Sequence, residues 1–311
     1  MLTYTDKDIR NHVEEIFDRV EAIIPIGHHD INRNLVYKVT TAEKDYVIKY
    51  YFKKDKCCNE VRTIKLLTQA GIKCPGLIKS DVTKDHIEYS IIEFVEGVPL
   101  IDVQSKMTEK NLNEVYFKMG QTLAEIHSIK DFDHFKTWEV NEESQPWVHS
   151  FKASIEHDLD RFFIKYDPEE HDAFPLIKRA YTEVKNNLDA FDVVEKAVLC
   201  HHDFSPRNIM VSPFGDDYQM TYVFDFEHSK PSADILDIID TGLMIEEQLP
   251  QVTDAFYKGY RSVRNFSEDH FSSLKRLVSF YIAIVICSWS RESAPDFYDF
   301  GISLIEENLE E

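Results

Sequence analysis

The residues whose types and spacing could do chemistry lie between positions 201 and 227. In the run His201-His202-Asp203-Phe204-Ser205-Pro206-Arg207-Asn208, a carboxylate follows a histidine by two places and an amide follows that carboxylate by five. Seventeen residues beyond Asn208, in Val223-Phe224-Asp225-Phe226-Glu227, another carboxylate stands among apolar neighbours. Alone, Asp225 reads as a capping or ion-paired aspartate. With Asn208 it makes a pair of hard oxygen donors of the kind Mg²⁺ prefers, alongside phosphate oxygens. Asp203 is then placed to accept, or at least orient, the proton of a hydroxyl nucleophile. Phosphates also need a fixed cation. Lys49 lies on an expected strand with Val47 and Tyr51 on the same face, and Glu60, at the start of the next helix, is its natural partner. Apolar flanks and a helix glutamate distinguish it from the usual solvated edge lysine.

Two kinds of element must position these groups. In the first 95 residues, Asn34–Thr41 and Tyr46–Phe52 are β-branched and aromatic and read as a hairpin. Asn59–Gln69 has helical spacing stopped by Gly71 and Pro75, and His86–Val95 reads as a further strand. After Glu96-Gly97-Val98-Pro99 the pattern becomes helical: Thr108 caps a helix to about His127, and further helices are expected over 150–166, 172–190, 234–247, 250–263 and 268–290. The strand-like stretch from Val198 to Phe226, turned at Ser212–Asp217, carries the chemistry.

Charge is distributed unevenly. Residues 1–95 balance 15 basic against 15 acidic side chains, so the net −21 falls entirely on the remaining 20 basic and 41 acidic ones. Such a field repels nucleic acid and anionic membrane and attracts cations, although acidic surface also serves solubility. Five cysteines without regular spacing give neither a disulfide framework nor a zinc pattern. The charged start reads against a secretory leader, and the apolar run Leu277–Trp289 reads as a buried helix too short to span a bilayer. A cytoplasmic, reducing location is expected. His28 and His29 are adjacent and do not read as a metal pair. His127 reads as a core or helix-end histidine, and Trp138, Trp147 and Trp289 read as core residues.

The pattern H-x-D-x-x-x-x-N, the later Asp225 and the Lys49/Glu60 pair together resemble the aminoglycoside phosphotransferase and choline-kinase-like group within the protein-kinase-like fold. Four further segments carry the resemblance: Asn34–Val39, Ile92–Gly97, Leu123–His127 and Asp237, twelve residues after Asp225. The resemblance implies an α+β, two-lobed fold. Its small β-rich N-terminal lobe would span 1–95, its larger mostly helical C-terminal lobe 96–311, with a hinge near 93–97. It implies ATP or GTP with Mg²⁺ as cofactors, Asp203 as catalytic base, and Asn208 and Asp225 as metal ligands. Lys49 and Glu60 would serve the phosphates, and Ile92 would stand beside the base. The backbone of Glu93 and Val95 would bond it. His201 and Glu227 would support the site, and Asp237 would brace the metal loop.

This chain also departs from the group. Gly27–Arg33, where the nucleotide-binding loop falls, has one glycine. Ser205 replaces a common histidine, His202 stands where glycine is frequent, and Ser232-Ala233-Asp234 stands for Gly-Asp-Pro. The expected reaction is transfer of the γ-phosphoryl group to a hydroxyl of a cationic small molecule, an aminoglycoside or similar antibiotic, as in antibiotic resistance. Choline, homoserine, methylthioribose or a macrolide sugar is the alternative acceptor, with Glu246, Glu247, Asp296 and Asp299 as candidate acceptor-binding acids. A silent nucleotide-binding module is the reading from another class, and the joint retention of Lys49, Asp203, Asn208 and Asp225 argues against it.

Overall fold

The computed structural model describes residues 4–27, 34–169 and 171–310, so all of the Gly27–Arg33 loop except Gly27, with His28 and His29, lies outside the described residues. In chain order the elements are α1 (Asp6–Ile16), β1 (Val20–Pro25), β2 (Asn34–Thr41), β3 (Asp45–Tyr51), α2 (Lys56–Ala70), β4 (Leu77–Val82), β5 (Glu88–Glu93), β6 (Val98–Pro99) and α3 (Leu100–Val103). Then follow α4 (Glu109–His127), β7 (Asp131–Phe132), α5 (Phe151–Phe163), α6 (Phe174–Asn186), β8 (Ala197–Cys200), β9 (Ile209–Phe214) and β10 (Asp217–Val223). The chain ends with β11 (Lys230–Ser232), α7 (Asp234–Gln248), α8 (Thr253–Arg261), α9 (Glu268–Ser293) and α10 (Pro295–Glu310). An antiparallel sheet comes first and a mostly helical region follows, the α+β arrangement expected.

Packing divides the chain into two compact units, Met1–Thr108 with Pro206–Ser229, and Glu109–Ser205 with Lys230–Glu311. This division differs from a cut at residue 95. The reason is strand pairing: β6 sets Val98 opposite Val211 and Pro99 opposite Met210 of β9, and this draws the β9–β10 hairpin into the first unit.

Within the first unit, five strands pair in the order β1-β2-β3-β5-β4. Alternation along β3 serves both faces of this sheet. Ile48 and Tyr50 enter one core with Ile9 and Val13 of α1, while Tyr51 joins Cys57 and Val61 of α2. Helix α1 starts on a capping box between Thr5 and Asp8 and spaces its two buried residues four apart.

In the second unit, β11, β8 and β7 form a short sheet beneath which helices gather. Helix α9 runs 26 residues, beyond the apolar run read from sequence, and is the one described helix long and apolar enough to cross a membrane. In this fold 56% of its apolar window is buried, with α5, α6, α7 and α10 packed along it, as a core helix would be. Helices α4 and α8 cross with their backbones in contact. A Cβ on Gly120 would stand 2.0 Å from the Phe256 carbonyl oxygen, and one on Gly259 would stand 1.9 Å from that of Phe117. Trp138 and Trp147 are half-buried and Trp289 is exposed, so the expected core roles are corrected: aliphatic, phenylalanine and tyrosine side chains fill the interior instead.

Candidate active site

Strand β3 carries Lys49 on the face turned to α2, where the side chain is buried. Three carboxylates surround its ammonium: Asp225 at 2.6 Å, Glu227 at 2.8 Å and Glu60 at 3.0 Å. Burial opposes the charge on Lys49, but Asp225 and then Glu60 outweigh it and hold the amine well above its ordinary pKa. The Tyr51 hydroxyl donates at 2.7 Å to the same Glu60 oxygen that Lys49 meets, and burial pushes the Glu60 carboxyl up. Glu227 shows the opposite shift. Burial there is overcome by the bond from His228 and the charge of Lys49, and its carboxyl falls far below the usual range.

Neighbouring side chains hold the loop that follows β10. The Asn34 side-chain amide donates to Glu227, Asn59 donates to the Glu227 carbonyl at 3.0 Å, and Lys56 meets His228 at 2.8 Å. Asp225 itself has φ +65°, a left-handed conformation uncommon for residues other than glycine. Its side chain is 34% exposed, against 2% for Glu60 and 8% for Glu227. Asp225 is thus the carboxylate of the three that solvent and ligand can reach. The three lie close enough for their oxygens to be within 4.8 Å of one another, a donor set suited to a hard divalent cation. Asn208 is buried, and its carbonyl accepts from the Phe224 amide at 3.1 Å, tying it to the strand that leads into Asp225.

At the end of β5, Ile92 is buried, Glu93 is exposed and Val95 is half-buried. The Glu93 N–H already donates to the Gly76 carbonyl at 2.8 Å, so that donor is not available to a nucleotide base.

Asp203 follows β8 in the second unit and is half-buried. Its loop is braced from behind by Asp237. The amides of His201 and His202 donate to the two Asp237 carboxylate oxygens at 2.5 and 3.0 Å, and His127 reaches the same carboxylate at 3.3 Å. Asp237 therefore contacts the loop of Asp203. Burial alone would raise its pKa, but the His127 bond and the neighbouring imidazoles bring it down to about 2. His202 adopts φ +61°, so the residue before Asp203 is also left-handed. His201 is buried edge-on to Phe204, and Ser205 is buried with its hydroxyl oxygen shielded from solvent. His127 is wholly buried, as a core histidine, and its Nδ1 meets the Tyr260 hydroxyl at 2.8 Å.

Sequence reasoning passed over Tyr51, Asn59, Lys56, His228 and Tyr260. Their signal was weak, because each contacts another residue of the site, from nine positions away for Tyr51 to more than 130 for Lys56, Asn59, His228 and Tyr260.

The chain belongs to the phosphotransferase enzyme family, whose model matches residues 26–270. Similar solved structures agree in fold. Aminoglycoside phosphotransferase APH(4)-Ia, in a ternary complex with AMP-PNP and hygromycin B, is 13% identical with a TM-score of 0.73, covering 97% of this chain and 98% of its own. Choline kinase LicA from Streptococcus pneumoniae is 18% identical with a TM-score of 0.62, covering 98% and 97%. Spectinomycin phosphotransferase APH(9)-Ia, in complex with ADP and spectinomycin, is 13% identical with a TM-score of 0.59 over the whole of both chains. At these identities the likeness is one of fold. No curated protein is significantly similar in sequence.

Proposed function

We propose that this protein is a small-molecule kinase that transfers the γ-phosphoryl group of ATP or GTP to a hydroxyl of a cationic acceptor. The observation that carries this reading is the buried Lys49, paired with Glu60 and standing 2.6 Å from Asp225 in a member of the phosphotransferase family. A lysine so placed is a fixed cation for phosphate oxygens. Asn208 and the accessible Asp225 would hold Mg²⁺, which when bound supplies positive charge to the phosphates. Asp203 takes the proton of the acceptor hydroxyl as the new P–O bond forms and the bond to the nucleoside diphosphate breaks. Ile92 flanks the base, Val95 offers its backbone to it, and Glu93 contributes through backbone other than its N–H. All five cysteines are thiols rather than disulfides, and a cytoplasmic setting is part of the reading proposed.

An aminoglycoside or similar polycationic antibiotic is the first acceptor class, supported by the acidic character of the chain beyond residue 95. A compact alkylammonium metabolite such as choline is the second. One cavity of the helical unit favours it, because Glu247 and Asp296 line this cavity beside Phe297, Phe300 and Met244. Glu246, by contrast, is taken by Lys275 at 3.0 Å. Carboxylates beside aromatic rings suit a cation with an apolar body. The test is incubation with γ-labelled ATP and GTP against aminoglycosides, choline, homoserine, methylthioribose and macrolides. Label should pass to one class. Turnover left unchanged by Asp203→Ala would overturn the assignment of the base.

A further inference from the structure

The close crossing of α4 and α8 ends on a hydrogen-bonded chain that reaches the Asp203 loop. Gly120 and His127 are seven residues apart on α4 and so share a face. Gly259 immediately precedes Tyr260 on α8. With backbone against backbone at the two glycines, Tyr260 has little freedom relative to His127, and both side chains are fully buried. The chain runs from the Tyr260 hydroxyl to His127 Nδ1 at 2.8 Å, and from His127 Nε2 to Asp237 at 3.3 Å. From Asp237 it reaches the amides of His201 and His202.

Donor and acceptor roles along it follow from chemistry. An ionised carboxylate only accepts, so the nitrogen facing Asp237 carries a proton. Among the described residues the Tyr260 hydroxyl has no partner but His127, so its proton points at Nδ1, which must then be the bare nitrogen.

We propose that Tyr260 is a positioning residue: its hydroxyl, donating to Nδ1, holds the His127 ring with its Nε2–H on Asp237, and through Asp237 this sets the conformation of the loop that bears Asp203. Without that hydroxyl, a buried Nδ1 loses its donor, and an unsatisfied buried acceptor is costly. Held at one end only, the ring can swing off Asp237, whose carboxylate then loses a donor. The left-handed turn at His202 loses part of its support.

The experiment compares the full chain with Tyr260→Phe, which removes one oxygen, and with His127→Gln, whose amide can still donate to Asp237. Histidine ¹⁵N NMR, with the His127 signals assigned from His127→Gln, reads the tautomer, and amide hydrogen exchange reads protection at His201 and His202. The wild type should show neutral, Nε2-protonated His127 and slow exchange at both amides. Tyr260→Phe should shift the His127 Nδ1 signal and speed exchange at both amides at least tenfold, while amides of the five-stranded sheet stay protected. His127→Gln should retain more protection than Tyr260→Phe. Doubly protonated or Nδ1-protonated His127 in the wild type overturns the proposal, as does unchanged exchange in Tyr260→Phe. The kinase reading is tested separately: where label transfer is observed, Tyr260→Phe should lower kcat and leave the nucleotide KM unchanged. A chain without transferase activity still answers the tautomer question.

Discussion

Lys49 offers one positive charge against three carboxylates. The cluster is therefore anionic, and a polyphosphate entering without a divalent cation meets repulsion. Nucleotide binding should accordingly be lost in EDTA, which calorimetric titration with and without Mg²⁺ would measure. Lys49→Met leaves buried carboxylates uncompensated and should cost about 3–5 kcal/mol of stability in a denaturant melt. Asp203→Asn should lower turnover about 10²- to 10⁴-fold while nucleotide affinity persists, because a base acts on the proton and not on the phosphates. Asp237 makes a pH prediction. Its carboxyl titrates at about 2 in the fold against an ordinary 3.8, so its contribution is complete above the ordinary value and disappears as pH falls through the folded one. That contribution is about 2 kcal/mol. Asp237→Asn should flatten the acid limb of stability between those two values, as read by urea midpoints from pH 5 downward.

At the scale of elements, β2 and α4 were legible because each buries one face and repeats at its own period, and β3 because its β-branched and aromatic residues suit a strand buried on both faces. Helix α1 was not. Its sequence is charged throughout and commits only Ile9 and Val13 to the core, which reads as surface until Thr5 and Asp8 are seen as a cap. Strands β1 and β4 were also missed, and both are edges of the five-stranded sheet with largely exposed side chains. Motif spacing singled out Lys49, Asp203, Asn208 and Asp225 as candidates because chemistry restricts their types. Tyr260 and Lys56 carry no such restriction, since many residues can hold another in place. The α4–α8 crossing depends on a missing side chain rather than a present one. Gly120→Ala or Gly259→Ala forces a Cβ into a carbonyl oxygen and should destabilise by about 1–3 kcal/mol, seen as a lower Tm.

For the molecule as a whole, binding and charge give measurable consequences. Mg²⁺·nucleotide at a hundredfold excess over Kd should add about 2.7 kcal/mol to stability, a gain that Asp225→Asn should abolish. Thermal shift with ATP, GTP and neither would rank the two nucleotides. The excess of acidic side chains beyond residue 95 should make the acceptor KM rise with ionic strength, more steeply than the nucleotide KM.

The discontinuity of the first unit bears on biosynthesis. When the nascent chain has emerged as far as β5, Lys49 and Glu60 are available, but Asp225 and Glu227 still await translation. At about 5–20 residues per second they arrive on the order of ten seconds later. Until then the lysine has one countercharge of its eventual three, and the sheet must persist on the ribosome without the hairpin that completes its unit.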